Sequence, residues 1–299
     1  HSTCVRILRR HIDRLGFDNN FTIYDSDDQK TLMKDICKRL EIDTKIYKER
    51  TFLNAISSAK DELMDPVAFE LSAVGDYNRQ RQAKVYREYQ AALKKNNALD
   101  FDDLIMKTVE LFRADAEVLD YYQERFRYIM VDEYQDTNYI QEQIVFLLGA
   151  KHHNICVVGD DDQGLYRFRG ATIRNILEFP HKFENEGCKI IPLVVNYRSN
   201  SDIVDFYNEW ISTTSGHKFK FSWDRYRYQK KIEPHVKSDI QSPAVVKLFS
   251  KDDEDEWHEK ILGFIKELKE SGKLTDYNQL AFLFSSVKHQ RVTALANFL

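Results

Sequence analysis

Cysteine is scarce in this sequence of 299 residues, and its four cysteines lie far apart. A zinc site or a dithiol redox motif needs cysteines in close pairs. The spacing therefore argues against both kinds of site. It predicts free, buried thiols in a protein of the reducing cytoplasm. These residues are Cys4, Cys37, Cys156 and Cys188.

Long apolar runs and an excess of positive charge are also missing. No run approaches the about eighteen apolar residues of a membrane span, and no basic and then apolar leader opens the chain, so no membrane partner is predicted. The formal net charge is −4. Binding to nucleic acid would therefore have to come from local patches and not from the overall field. The length favours two domains, each with its own core.

The first third of the sequence has a helical period. Residues 1–16 repeat apolar side chains at spacings of three and four, and Gly16 is predicted to end the helix. The segment YDSDDQKTLMKDICKRL begins with acidic residues and a serine, which is typical of a helix N-cap. Residues 20–97 are predicted to be wholly helical. Because the sequence starts inside a helical pattern and without methionine, it is interpreted as a piece of something longer.

Short β-rich runs alternate with helical patterns in the remainder. YIMV, ICVV, KIIPLVV, AVVKLF and QLAFLF occupy residues 128–131, 155–158, 189–195, 244–249 and 279–284. Runs of this kind fill parallel strands that are covered on both faces. The alternation predicts an α/β fold.

Charged residues follow three of these runs. Asp132 and Glu133 follow the first, GDDDQ at 159–163 follows the second, and Arg198 follows the third. Ligands of parallel sheets bind beyond the carboxyl ends of the strands. Hydrolysis of a nucleoside triphosphate needs a carboxylate for Mg²⁺, a group that positions water, and a cation. These side chains supply those types, although an acidic cluster of this kind is also typical of a solvated loop.

Three segments resemble consecutive motifs of the UvrD/Rep/PcrA family of superfamily 1 DNA helicases. They are VDEYQDTN at 131–138, VGDDDQGLYRFRGA at 158–171 and NYRS at 196–199. LDFDDL at 99–104 is similar to another family segment, and His1 and Ser2 resemble the end of a TFHS motif. The resemblance implies two RecA-like domains that hold ATP between them.

The resemblance also implies the domain limits. Residues 1–19 would begin the first RecA-like domain, 20–97 would form a helical insertion, 98–188 would complete that domain, and 189–299 would be part of the second.

Roles for individual residues follow from the resemblance alone. Asp132 would hold Mg²⁺, Glu133 would activate the attacking water, Gln163 would sense the γ-phosphate of ATP, and Arg198 would reach that phosphate from the second domain. Contacts with single-stranded DNA, or with a single/double-strand junction, would come from His1, Tyr166, Phe168 and Arg169.

The sequence departs from the family pattern at several positions. Gly164, Arg167 and Phe168 stand where the family commonly has Ser, Gly and Trp, and Val195 stands where many relatives have Gln. The phosphate loop G-x-x-x-x-G-K-[ST] does not occur in these residues. The family places that loop before TFHS, so this chain alone is expected not to hydrolyse ATP.

The resemblance favours the central part of an ATP-dependent 3′–5′ DNA helicase or translocase of the cytoplasm. Two alternatives stay open. One is a non-catalytic nucleic-acid-binding module that kept the fold, and the other is the motor part of a helicase-nuclease. Protein partners are not predicted.

Overall fold

The computed structural model describes residues 1–164, 172–213, 228, 230–237, 244–250 and 254–299. These residues form two units. The first consists of residues 1–191 together with Tyr228, and the second consists of the other described residues from Pro192 onward. Across the described ranges, no helix is long and apolar enough to cross a membrane.

Helices dominate the described part of the first unit, and its strands are short. The strands are β1 (Thr22–Ile23), β2 (Ala98–Leu99), β3 (Ile129–Val131) and β4 (Ile155–Val157). The helices are α1 (Ser2–His11), α2 (Ser26–Arg39), α3 (Glu49–Asp61), α4 (Pro66–Ser72), α5 (Tyr77–Lys95), α6 (Phe101–Ala114), α7 (Ala116–Arg125), α8 (Tyr139–Gly149) and α9 (Arg174–Lys182).

Acidic N-caps begin α2 and α6, as the acidic start of the first segment predicts. The Asp25 carboxylate accepts the backbone N–H of Asp27 and Asp28, and the Asp28 carboxylate accepts the N–H of Asp25. These backbone hydrogen bonds hold the pKa of Asp25 below its ordinary value. The same reciprocal arrangement joins Asp100 and Asp103 at the start of α6. Each cap satisfies N–H groups that a helix cannot satisfy internally.

The prediction that residues 20–97 are wholly helical was wrong at the start of that range. β1 pairs with β2 in parallel, with Thr22 opposite Ala98 and Ile23 opposite Leu99. The N–H of Thr22 donates to the carbonyl of Asn97, and the N–H of Tyr24 donates to that of Leu99. A strand of two residues is too short to show a periodicity. Its pairing partner lies more than seventy residues away in the sequence, so no local pattern indicates it.

Two apolar cores build most of the first unit. One packs α1, α6, α7 and α8 around buried residues such as Leu8, Val109 and Phe112. The other packs α2, α3 and α5 around residues such as Met33, Ile56 and Tyr86. Burying a large apolar side chain contributes about 1.5–3 kcal/mol, so these cores supply the main stabilisation of the unit.

A buried ion cluster ties the second of these cores to α6. Lys60, at the end of α3, lies 2.6 Å from Asp100 Oδ2 and 2.8 Å from Asp103 Oδ1. Burial alone would lower the pKa of Lys60, but the carboxylates of Asp103 and Asp100 outweigh burial and raise it. Tyr89 donates its hydroxyl to Asp100 as well.

The described part of the second unit contains one small parallel sheet and three α-helices. Its strands are β5 (Val195–Asn200) and β6 (Glu233–Val236), and its helices are α10 (Ser201–Thr213), α11 (Glu254–Glu270) and α12 (Gln290–Phe298). β5 and β6 pair in parallel with a shift of register between Asn196 and Asn200. The fold class is therefore mixed α/β, with small parallel sheets and many helices, as the alternation predicts.

Several strand predictions were wrong. Residues 189–194 do not form a strand, and β5 begins only at Val195, after Pro192, which cannot donate to a ladder. Residues 244–249 and 279–284 also lie outside any strand. An apolar run becomes a strand only when another strand pairs with it, and these runs have no such partner among the described residues.

The predicted burial of strands and thiols was also wrong in part. Met130 of β3 is 78% exposed. Cys156, which faces it in β4, is exposed as well, so one face of this sheet is open in the described structure. Cys188 is exposed, whereas Cys4 and Cys37 are buried. All four cysteines are free, as their spacing predicts.

Candidate functional site

The ends of β3 and β4 form one edge of a sheet. The two strands are parallel, and Val131 lies opposite Val157. Beyond this pair, the N–H of Val158 donates to the carbonyl of Val131 at 2.8 Å, and the N–H of Tyr134 donates to the carbonyl of Val158 at 2.9 Å. The two loops that follow are therefore joined by backbone hydrogen bonds, which places their acidic residues side by side.

Glu133 has a left-handed backbone conformation, with φ of +50°. The N–H of Glu133 donates to the Asp132 carboxylate at 2.9 Å, and both side chains are exposed at the sheet edge. A residue with a Cβ seldom adopts positive φ, and doing so costs about 1–3 kcal/mol. Such strain is common where a side chain must point in a particular direction for function.

Gln135 connects the two loops through its side-chain amide. Its Nε2 donates to Glu133 Oε2 at 2.6 Å, and its Oε1 accepts the backbone N–H of Asp160 at 3.0 Å. Asp160 in turn accepts the side-chain amide of Gln163 at 2.8 Å. The structure thus brings together Glu133 and Gln163, which the sequence singles out, and adds Gln135 and Asp160 between them.

Gly159 makes this close approach possible. A Cβ at this position would lie 2.5 Å from Gln135 Oε1, 2.7 Å from Ile176 Cδ1 and 3.2 Å from Tyr134 N. Any larger residue would push Gln135 out of place. The glycine is needed here for space and not for a positive φ.

The three adjacent aspartates are held by local hydrogen bonds. Asp160 Oδ1 accepts the N–H of Asp162 at 3.1 Å, and buried Asp161 accepts the N–H of Tyr228 at 3.3 Å. Their carboxylate oxygens lie within 4.8 Å of one another. Backbone N–H groups therefore offset part of the repulsion among the three charges.

Buried polar and aromatic side chains support the first loop from beneath. Tyr134 is fully buried and packs edge to face on Phe179 with ring centroids 5.3 Å apart. Its hydroxyl donates to Glu142 at 3.1 Å, and Lys182 neutralises Glu142 at 2.7 Å. Burial and the nearby Glu142 raise the pKa of Tyr134, so it remains a neutral donor. The loop is thereby fixed to α8 and α9.

Asp136 ends the short helical turn of this loop. Burial, followed by the charge of Glu133, raises the pKa of Asp136 above its ordinary value. Its Oδ1 atom is buried and has no hydrogen-bond partner among the described residues. The Glu133 carboxylate thus lies in a region where negative charge already accumulates.

Asn138 joins three parts of the first unit at the start of α8. Its side-chain oxygen caps the helix at Gln141 N, and its Nδ2 donates to Asp61 Oδ1 at 2.7 Å. Asn175 of α9 donates to the carbonyl of Asn138 at 3.3 Å. The end of α3, the loop after β3 and the start of α9 therefore meet at one polar contact.

The second unit carries Arg198 on an irregular strand. The side chain of Asn196 accepts the N–H of Arg198 at 2.9 Å and of Ser199 at 2.7 Å. This turn falls where the register of β5 and β6 shifts. Arg198 is exposed. It lies within β5, so the prediction that it follows the end of its strand was wrong. Irregularities of this kind redirect a side chain away from the pleat.

The predicted DNA-contacting residues are only partly described. His1 is exposed at the start of α1, and its ring packs edge to face on Phe101 at 6.0 Å. Phe101, which lies inside the LDFDDL segment, was not singled out from the sequence, and its ring is 44% exposed. Tyr166, Phe168 and Arg169 lie outside the described residues, as does Arg167.

The chemistry of these donors fits a hard divalent cation. Mg²⁺ prefers oxygen ligands and usually keeps several waters, binding through one or two carboxylates and the phosphates of a substrate. Asp132 offers an exposed carboxylate at the sheet edge. The loop after β4 adds further carboxylate oxygens at the end of the paired strand. An oxygen-rich, partly open set of this kind suits Mg²⁺ bound together with a nucleotide.

Comparison with known proteins supplies independent information. A family model described as the UvrD/REP helicase N-terminal domain matches residues 1–184. The chain is 49% identical over 232 residues to the ATP-dependent DNA helicase PcrA of Staphylococcus aureus, a match that covers 78% of this chain and 31% of that relative. It is 42% identical over 292 residues to the PcrA of Staphylococcus epidermidis, which covers 98% of this chain and 37% of the relative. The chain spans about a third of the length of these relatives.

Proposed function

The chain belongs to the UvrD/REP helicase family, and from this membership we propose that it is the central part of an ATP-driven DNA helicase. Its motor would move 3′ to 5′ along single-stranded DNA, with a single strand or a single/double-strand junction as substrate. The relatives are named ATP-dependent DNA helicases, which supports ATP as the fuel.

The observation that carries the proposal is the chain of hydrogen bonds at the β3–β4 edge. Through Gln135 and Asp160, it connects Glu133 to Gln163. In this proposal Asp132 holds Mg²⁺, which when bound neutralises charge on the phosphates of ATP. A solvated acidic loop would have no need of a strained glutamate held by a buried amide.

Each remaining residue has a distinct role in the proposed reaction. Glu133 accepts a proton from the attacking water. Gln163 contacts the γ-phosphate of ATP, so the conformation of the loop after β4 depends on whether that phosphate is present. By resemblance to the family, Arg198 would supply a guanidinium to the transferring phosphoryl group, where positive charge stabilises the transition state.

The domain organisation is proposed on the same basis. The first RecA-like domain would consist of residues 1–19 and 98–188, with a helical insertion at 20–97. Residues 189–299 would form part of the second RecA-like domain. Tyr166, Phe168, Arg169 and His1 would contact DNA, with the aromatic rings stacking on bases.

The experiment that tests the proposal is ATP turnover by the helicase that contains this chain. Wild-type protein is compared with Glu133→Gln, with and without a single-stranded oligonucleotide. We expect DNA-stimulated turnover in the wild type and a loss of about a hundredfold or more in the variant. Wild-type protein that binds DNA without hydrolysing ATP would instead support a non-catalytic module.

The direction of movement needs a separate measurement. Duplexes with a 3′ or a 5′ single-stranded tail are offered to the same protein, and the displaced strand is quantified. The proposal requires unwinding from the 3′ tail. Unwinding only from the 5′ tail would contradict the proposed polarity while leaving ATP hydrolysis intact. A nuclease product in this assay would favour the helicase-nuclease alternative.

A further inference from the structure

We propose that Gln135 is a positioning residue that fixes the Glu133 carboxylate and couples it to the loop after β4. The inference rests on the proposed role of Glu133 in ATP hydrolysis. Gln135 is 1% exposed, and each end of its amide contacts a different loop. Its amide bonds go to Glu133 and to the backbone of Asp160, and Gln135 acts through these two residues.

The orientation of the Gln135 amide is determined by its two partners. The backbone N–H of Asp160 can only donate, so it must face the amide oxygen of Gln135. The nitrogen then faces Glu133 Oε2, which can accept. One side chain therefore satisfies a donor in one loop and an acceptor in the other. Among the side chains of this length, only an uncharged amide offers both.

The hydrogen bonds all run in one direction. Gln163 donates to the Asp160 side chain, the Asp160 N–H donates to Gln135, and Gln135 donates to Glu133. The two bonds of the conjugated Gln135 amide, one accepted at its oxygen and one donated from its nitrogen, strengthen each other. The bond from Gln163 joins this pair by holding the Asp160 side chain. When Gln163 turns toward a phosphate it gives up its bond to Asp160, and the change reaches Glu133 through Gln135. In this way, contact between Gln163 and a phosphate would change the hydrogen bonding of Glu133, the proposed acceptor of the proton from water.

The same contact constrains the Glu133 side chain. With Oε2 held at 2.6 Å by Gln135, the carboxylate cannot rotate freely, and Oε1 is left to accept a proton. Gly159 keeps Gln135 in place because its missing Cβ leaves room for the amide oxygen. The orientation of Glu133 therefore depends on both loops and not on its own backbone alone.

Two substitutions separate the two bonds. Gln135→Glu keeps an acceptor for the Asp160 N–H but replaces the donor with an oxygen that repels the Glu133 carboxylate. Gln135→Met has similar length and removes both bonds. Gln143→Met on α8 is the matched control, because Gln143 contacts Arg113 on the surface and lies outside the site.

The first measurement is steady-state ATP turnover by the helicase that contains this chain. Both Gln135 variants should lower kcat about a hundredfold and leave the KM for ATP within about twofold, because orientation and not binding is lost. Gln143→Met should leave kcat within about twofold of the wild type. A Gln135→Glu variant with wild-type kcat would overturn the proposal.

The second measurement does not need activity. Amide hydrogen exchange of Asp160 is followed in this 299-residue chain. Gln135→Met should speed exchange about tenfold, whereas Gln135→Glu should preserve the protection. Equal exchange in Gln135→Met and the wild type would show that the contact does not join the loops, and would overturn the coupling.

Glu133→Gln distinguishes a failure of this inference from a failure of the proposed function. If Glu133→Gln keeps wild-type turnover, the role of Glu133 is wrong and the inference falls with it. If Glu133→Gln is inactive while both Gln135 variants turn over normally, the proposed function stands and only the positioning role is rejected.

Discussion

Lys60 Nζ lies 2.6 Å from Asp100 Oδ2, and both side chains are removed from solvent. The two residues are forty positions apart in the sequence. Lys60 lies at the end of α3, within the predicted helical insertion at 20–97, and Asp100 caps α6. The pair therefore attaches the helices of the insertion to the rest of the first unit.

Removal of the buried lysine is expected to destabilise the first unit strongly. Lys60→Ala leaves Asp100 and Asp103 buried without a counter-charge, which costs about 3–5 kcal/mol. Urea unfolding followed by circular dichroism measures the change in the free energy of unfolding. The triple change K60M/D100N/D103N should recover most of the loss, because no buried charge remains. Lys34→Ala on the exposed face of α2 is the control, and a loss of equal size there would contradict the prediction.

Asp61 should make the stability of the first unit depend on pH. Burial, followed by the charges of Asp102 and Glu62, raises the pKa of Asp61 from 3.8 to about 7. Between those values the folded chain holds a proton that the unfolded chain releases. The contribution of Asp61 to the free energy of unfolding therefore falls as the pH rises from 3.8 to about 7.

The variant Asp61→Asn tests this dependence. It removes the titrating group and keeps an oxygen that can accept the hydrogen bond from Asn138. The decline in stability with pH should therefore disappear. Above the pKa of Asp61 in the folded chain, the variant should have a larger free energy of unfolding than the wild type. Asp35→Asn, at an exposed position of α2, is the control and should retain the wild-type slope. An unchanged slope in Asp61→Asn would refute the assignment.

Gly159→Ala should loosen the β3–β4 edge. The added Cβ would lie 2.5 Å from Gln135 Oε1, and overpacking of this kind costs about 1–3 kcal/mol. Hydrogen exchange of peptides from the loops after β3 and β4 should become faster. Gly263→Ala in α11 is the matched change in open space, and it should slow exchange in its own helix. Faster exchange in both variants would point to a nonspecific effect.

Single-stranded DNA binding by the chain should depend on Tyr166, Phe168 and Arg169. Loss of one stacking ring should weaken binding by about 1–3 kcal/mol, with little dependence on base sequence. Arg169→Ala should lower the slope of log affinity against log salt by about 0.7, the value for one phosphate contact on a single strand. Fluorescence anisotropy at several salt concentrations measures both quantities. Unchanged affinity in all three variants would remove this segment from the proposed DNA contacts.

The 299-residue chain should not turn over ATP at a useful rate, with or without DNA. The motif G-x-x-x-x-G-K-[ST], whose backbone N–H groups and lysine hold the phosphates, is not among these residues. A coupled assay for ADP release measures the rate. Clear DNA-stimulated turnover by this polypeptide would contradict the prediction and would require another phosphate-binding element.

Local patterns in the sequence were enough to predict much of the helical structure. The acidic start of α2, the stop at Gly16 and the strands β3 and β4 all follow from side chains close together in the chain. The motifs at 131–138, 158–171 and 196–199 together predicted the family, which the family model confirmed. Caps, periodicity and motifs involve neighbours within a few residues, so one sequence suffices to find them.

Pairings between distant residues could not be predicted in the same way. The two residues of β1 form a strand because they pair with β2, whereas the longer apolar run at 244–249 forms none. The predicted nucleotide residues Glu133 and Gln163 were recognisable, but Gln135 and Asp160, which join them, were not assigned roles. Whether Arg198 acts on this site is a proposal that rests on the family.

The amino-acid sequence specified which chemical groups are present and which of them follow each strand or begin each helix. Tertiary structure decided which groups meet, as with the Gln135 amide and the Asp160 N–H, which are twenty-five residues apart. Many acceptors in the sequence could satisfy one hydrogen-bond donor, and many carboxylates could pair with one buried lysine, so the residue types do not identify the partner. Only the packing of the whole unit selects one partner, because burial makes every unpaired alternative costly.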